Sequence, residues 1–278
     1  MASTDENLYK WYEPSKAAAI TTCVIFIILT LAQTWRVFRT RHWFGITIII
    51  GGIFEVVGLA ARAYSRDDLN GIGPYVIQIL LILLAPILFA ASIYMFLGRL
   101  IHASGYPSLS LIPVRWLSKI FVTGDIICFL VQGVGAGKLV DSNSIEDAKA
   151  GKNIVLAGLG LQVAIFLVFV LCAGVFHYRM ASKGLFKTAN PELRLGPMMT
   201  TLYICSLLVM FRNIYRLIEY EQGEDGYLQS HEWPTYVLDV MFMATIMVLT
   251  LGWYNADLKN EKNSFQMQAI PSSPDNAA

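Results

Sequence analysis

Glu55, Asp125, Arg212, Arg216 and Asp239 each stand inside a long stretch of Ile, Leu, Val and Phe. In hydrocarbon one such group costs about 2.5–3.5 kcal/mol, so five facing lipid cost roughly 15 kcal/mol. They are expected to face the bundle interior, a water-filled cavity or each other. Carboxylates in that setting can receive a cation, either a proton or an ammonium headgroup. Guanidiniums beside them can neutralise them, here Arg212 and Arg216 against Glu55, Glu219 or Asp239. Static ion pairs that only fix helix registry are the competing reading of the same residues.

Spacing sharpens the picture. Glu55 and Arg62 lie seven residues apart, as do Asp125 and Gln132, Arg212 and Glu219, and Glu232 and Asp239. Arg216 falls four residues into the third pair and Tyr236 four residues into the fourth. Seven residues make nearly two helical turns, so each pair shares a face. Four helices then carry polar stripes about 10 Å long. Gln78 and Gln162 join the set. Counted from the helix ends, most of it gathers in the outer half of the bundle, with Asp125 and Gln162 nearer the middle.

The elements that hold these residues follow from hydropathy. Hydrophobic residues are 55% of the 278 and charged residues 15%, against about 25% charged in soluble domains. Seven stretches, 16–38, 43–64, 75–101, 114–139, 153–178, 197–219 and 233–256, reach the roughly 20 residues that cross a bilayer as a helix. Backbone groups in lipid must bond internally, which selects helix over strand. The fold expected is all-α, a polytopic bundle of seven transmembrane helices.

Trp11, Tyr12, Trp43, Tyr75 and Trp233 sit at helix starts as interface anchors. Lys and Arg number twelve in one set of alternate loops and seven in the other. The richer set faces the cytosol, which puts the N-terminus outside and the C-terminus inside. The expected organisation is a short extracellular segment 1–15, a membrane domain 16–256 and a disordered cytosolic tail 257–278. Residues 1–15 hold no apolar run, so no cleavable signal peptide is expected. All four cysteines fall in apolar segments and are read as reduced. Gly51, Gly52, Gly58, Gly158 and the Gly133/Gly137 pair mark close helix packing, and Pro86 is expected to kink helix three.

Enzyme chemistry finds little support. GVGAGKL at 133–139 lacks the first glycine and the hydroxyl of a phosphate loop. The four histidines are single, without metal-ligand spacing. No cofactor, metal or nucleic-acid partner is called for, and there is no nucleophile and base constellation.

Seven blocks recur in order: Tyr12-x-Pro14-Ser15; Glu55-x2-Gly58-x3-Arg62; Gln78 with Ala85-Pro86-x3-Ala90-Ala91-x2-Tyr94; Asp125-x6-Gln132-x2-Gly135; Gly158-x3-Gln162; Arg212-x2-Tyr215-Arg216-x2-Glu219; and Glu232-x3-Tyr236-x2-Asp239. With these blocks, over about residues 9–257, the chain closely resembles the fungal lipid-translocating exporter family, the aminocholesterol-resistance, molasses-resistance and sphingoid-base-translocation proteins. The resemblance implies a fungal seven-helix protein, usually at the plasma membrane, tied to export of sphingoid bases, resistance to toxic amphiphiles or, in one branch, tetrapyrrole uptake.

The expected ligand is therefore a membrane lipid or other amphiphilic small molecule with a cationic head. Glu55, Asp125, Glu232 and Asp239 would receive the ammonium, and Arg212 and Arg216 would keep them charged and unpaired until it enters. The rival expectation is a receptor-like or regulatory protein that senses lipid or stress. A second copy of the chain and a signalling protein are the partner classes left open.

Overall fold

The computed structural model describes residues 15–65, 72–140, 144–185, 194–223 and 226–255. The N-terminal block up to Pro14 and the tail 257–278 lie outside the described residues. Helix α1 (Lys16–Thr40) begins at Ser15, whose hydroxyl accepts from the Ala18 N–H, filling one of the donors a helix start leaves open. It stops at Arg41, which takes a left-handed conformation (φ 56°). A 3₁₀ turn (Trp43–Gly45) leads into α2 (Ile46–Ser65), followed by α3 (Ile72–Ala103), α4 (Val114–Val140), α5 (Ile145–Ser182) and α6 (Leu195–Gln222). After the short turn α7 (Tyr227–Ser230), the last span changes pitch twice. It runs as π-helix over Thr235–Val240, α-helix α8 over Met241–Thr250, and 3₁₀ over Leu251–Asn255.

Seven of these segments are long and apolar enough to cross a membrane, and among the described residues there is no strand. The protein is an all-α integral membrane protein. Outward-facing Ile20, Val24, Ile28, Leu31, Trp35 and Phe38 give α1 a broad apolar surface, as a helix against lipid requires. In contrast, α3 is the central helix: 61% of its apolar window is buried, against 22% for α1. It packs on α2, α4, α6 and α8.

Two differences from the hydropathy reading have clear causes. Helix α5 starts eight residues before the expected 153 because its entry is set by capping. The Ser144 hydroxyl accepts from the Asp147 N–H (3.1 Å), an N-cap, and donates to the Asp147 carboxylate (2.7 Å). Charged Glu146, Asp147, Lys149 and Lys152 interrupt the apolar run over this turn. At 38 residues the helix is about 57 Å long and extends beyond the hydrocarbon. The glycine contact between α4 and α5 also differs from expectation. A Cβ on Gly133 or Gly137 would meet nothing, whereas one on Gly135 would sit 2.9 Å from the Gly151 carbonyl. The pair expected to pack points away, and Gly135 with Gly151 makes the close approach. Gly51, Gly52, Gly58 and Gly158 do face neighbours closely, the last against Gln132.

Helix α3 continues through Pro86. Proline has no N–H, so the carbonyl four residues earlier, that of Ile82, loses its helical donor. The cysteines Cys23, Cys128, Cys172 and Cys205 are all free, Cys23 only half-buried and the others buried.

Candidate functional site

The ends of α2 and α6, the start of α1 and the start of the last span share one end of the bundle, here called the N-terminal end. At its edge the Ser15 N–H donates to both carboxylate oxygens of Glu232, at 2.9 and 3.1 Å. Arg62, near the end of α2, donates to the same carboxylate at 2.9 Å and through Nε to Tyr236 Oη at 3.3 Å. Its guanidinium also lies 5.6 Å from the Tyr236 ring centre, within cation–π range. Glu232 thus ties three elements together from a position just before the helix, not from the face it was expected to share with Asp239.

Deeper in, Arg212 and Arg216 are one turn apart on α6 and converge on one carboxylate. Arg212 Nε donates to Asp239 Oδ1 at 2.9 Å, and Arg216 Nη2 donates to Asp239 Oδ2. Arg216 Nη1 reaches Glu219 at 3.0 Å, and the Tyr215 hydroxyl donates to the other oxygen of Glu219 at 3.2 Å. Arg212 Nη2 donates to the Ile82 carbonyl at 3.4 Å. That is the carbonyl Pro86 releases, so the proline supplies the arginine with an acceptor on the central helix. Arg212 and Asp239 are 1% and 0% exposed. A buried pair of this kind persists only with its remaining hydrogen bonds filled, and these contacts fill most of them; Arg216 Nε is left without a partner.

Asp239 lies in the π segment, where the Met241 N–H bonds back five residues to Tyr236. Single π turns inside α-helices are frequent at functional sites. Nothing in the periodicity of this segment marks the change of pitch.

Glu55 differs from the other carboxylates. It is 1% exposed, and neither of its oxygens has a hydrogen-bond partner. Asp239, Arg212 and Arg216 are all within its Coulombic reach. The expectation that both arginines hold carboxylates unpaired is corrected here: they bind Asp239 directly, because two donor forks four residues apart can grip one acceptor. Of the four acids, Glu232 and Asp239 are engaged. Glu55 and one oxygen of Asp125 are not.

The remaining site residues sit among α3, α4 and α5. The Tyr94 hydroxyl donates to Asp125 Oδ2 at 2.9 Å, while Oδ1 has no partner. Tyr94 packs among Phe121, Phe166 and Phe169, with ring centres 4.5–5.9 Å away. Gln132 Nε2 donates to Gln162 Oε1 at 2.9 Å across the α4–α5 interface. Gln78 is buried on α3. The hydrogen bonds of Asp125, Gln132 and Gln162 run within α3–α5 and not to the arginines. Tyr94, Tyr215 and Ser15 were each inside a recognisable block yet absent from the expected site set; the hydroxyls of Tyr94 and Tyr215 complement buried acids and the Ser15 N–H a partly buried one, which is the signal that marks them. Among the described residues no group of His, Cys, Asp and Glu is arranged to hold a metal ion.

A bundle of seven membrane-spanning helices with a buried Arg–Asp–Arg–Glu network at one end, and a donorless carboxyl beside it, defines a polytopic membrane protein built around an intramembrane polar site. Residues 48–261 match the family described as RTA1 like protein, and the chain belongs to that family. It is 32% identical to Protein RTM1 of Saccharomyces cerevisiae, over 91% of this chain and 94% of that one. It is 33% identical to Protoporphyrin uptake protein 1 of the same yeast, over 89% and 92%. It is 28% identical to the Sphingoid long-chain base transporter RSB1, over 97% and 79%. No solved structure matches.

Proposed function

We propose that the protein is a non-enzymatic translocator of a cationic amphiphile, of which a sphingoid long-chain base is the type, and that it contributes to resistance to toxic lipids. In this reading it sits in the plasma membrane with its N-terminus outside, and the N-terminal end of the bundle opens toward the outer leaflet. The relative named as a sphingoid long-chain base transporter supports the ligand class. The observation that carries the reading is Glu55. Two guanidiniums bind two carboxyls, Asp239 and Glu219, and Glu55, buried within their Coulombic reach, has no donor on either oxygen. A buried carboxylate needs a positive partner or hydrogen-bond donors, and an ammonium headgroup supplies both. An acidic amphiphile would meet guanidiniums whose charges Asp239 and Glu219 already match. The apolar tail can stay in lipid between helices while the head enters.

The test is reconstitution. Purified protein in liposomes is expected to move a fluorescent sphingoid base from one leaflet to the other faster than protein-free liposomes do, read by its loss of access to an external quencher. Equal rates with and without protein would refute translocation. A cytosolic signalling partner recovered with an inactive transporter would turn the reading toward a receptor.

A further inference from the structure

The charges around Glu55 balance in a way that restricts what can sit there. Arg212 and Arg216 are matched by Asp239 and Glu219, which makes that group neutral as a whole. Glu55 is a third carboxyl within its field, buried and without a donor on either oxygen. The helices packed beside α2 offer it no further charge. Helix α1 has no acidic or basic residue between Lys16 and Arg36, and α3 has none before Arg99. The Cys23 thiol of α1 is turned to the Val56 carbonyl at 3.6 Å. Arg62, on the same helix as Glu55, is engaged with Glu232 and Tyr236. The surroundings therefore accommodate one added positive charge at Glu55, and no described side chain provides it.

We propose that Glu55 is an exchange site for one monovalent cation, holding a proton when the protein is empty and the ligand's ammonium when it is loaded. This rests on the proposed translocation of a cationic amphiphile and adds its coupling. On loading, the O–H bond of Glu55 breaks and the proton passes to water. The carboxylate left behind pairs with the incoming cation, so the charge in the site is the same before and after. On unloading, a proton from water restores the O–H bond as the cation leaves. Each amphiphile that enters from one side and leaves to the other then moves against a proton, and a pH difference across the membrane drives it with no nucleotide involved. Asp239 cannot serve this role, because both of its oxygens are gripped by arginine.

The probe for the test is an N-trimethyl sphingoid base, a permanent cation whose head carries no proton that titrates near neutral pH. Added to the purified full-length protein in weakly buffered detergent, it is expected to release about one proton per molecule bound, with affinity rising up to about tenfold per pH unit as protons compete less. Glu55→Gln, nearly isosteric and unable to exchange a proton, is expected to release none, while Glu55→Asp retains release. Elution of each variant as a monodisperse species on size exclusion confirms folding. Failure of the probe to bind, binding without proton release, or undiminished release from Glu55→Gln would each overturn the exchange. Liposomes separate this from translocation. Probe that releases protons on binding but never crosses removes the translocator and leaves the exchange site standing. Probe that crosses at a rate indifferent to a pH gradient, with no change in lumenal pH, removes the coupling and leaves the translocator.

Discussion

The two ends of the bundle are held together by opposite means. At the N-terminal end, α1, α2, α6 and the last span meet through Ser15, Arg62, Glu232, Arg212, Arg216 and Asp239, by charge and directed hydrogen bonds. At the C-terminal end, Trp253 lies flat on Phe96, ring centres 3.9 Å apart at 2°, and Tyr254 stacks on Phe44, which also meets Phe96. Gln33 adds hydrogen bonds to the Met247 carbonyl and the Thr250 hydroxyl at 2.7 and 2.8 Å. Ring packing has no partner to exchange. An ion network does, since a new cation or anion can take the place of an existing one. In the proposed reading the aromatic end is fixed assembly and the charged end is where ligand would enter.

The strongest way to break this comparison is Asp239→Asn. It removes the negative charge, and one of the two accepting oxygens, that two buried guanidiniums share, and uncompensated buried charge costs about 3–5 kcal/mol. Chemical denaturation in detergent is expected to show a loss of that size. Glu55→Gln, by contrast, removes no hydrogen bond seen in the structure and is expected to change stability by less than about 1 kcal/mol while ligand binding is lost. Similar losses from both would mean that Glu55 is only one more member of a structural network. At the other end, Trp253→Ala empties a fully buried site and is expected to cost about 3 kcal/mol, with substrate affinity in the surviving folded fraction unchanged. An affinity loss there would erase the division between the ends.

How far these ends were legible differs for physical reasons. The seven spans follow from bilayer thickness, and the ionisable residues stood out because hydrocarbon penalises each one wherever its helix turns. Pairing was harder. Arg212 and Arg216 at i and i+4 show a shared face, but which of Glu55, Glu219 and Asp239 they grip depends on helix rotation and on the π turn that carries Asp239. The Ile82 acceptor is a backbone atom, visible only by asking which carbonyl Pro86 deprives of its donor. The aromatic end was missed because Trp253, Phe96 and Phe44 look like ordinary apolar residues in sequence; Gln33 and Thr250, polar side chains inside α1 and the last span, are the polar marks of contact there.

Smaller effects sharpen the boundary of the charged end. Glu232→Gln removes the carboxylate shared by Arg62 and the Ser15 N–H. The two side chains are 8% and 16% exposed, so the pair is shielded but not sealed. The expected cost is about 1–2 kcal/mol, with faster backbone hydrogen exchange confined to the first turn of α1 and the start of the last span. Uniform acceleration across all helices would mean that Glu232 supports the whole fold and not one edge of the site.

Lys138 and Asp147 give the smallest effect. They close to 3.9 Å between the end of α4 and the start of α5, with side chains 45% and 49% exposed. Water screens such a pair, and holding two long side chains together offsets most of the attraction. Lys138→Ala is expected to shift the unfolding free energy by no more than about 0.5 kcal/mol, because the α4–α5 crossing is set by Gly135 against Gly151 and by the Ser144 cap. The measurement has force because the same charge types meet at both places. If this exposed pair matched the loss from Asp239→Asn, burial would not be what gives the inner network its strength, and the special standing of Glu55 beside it would go too.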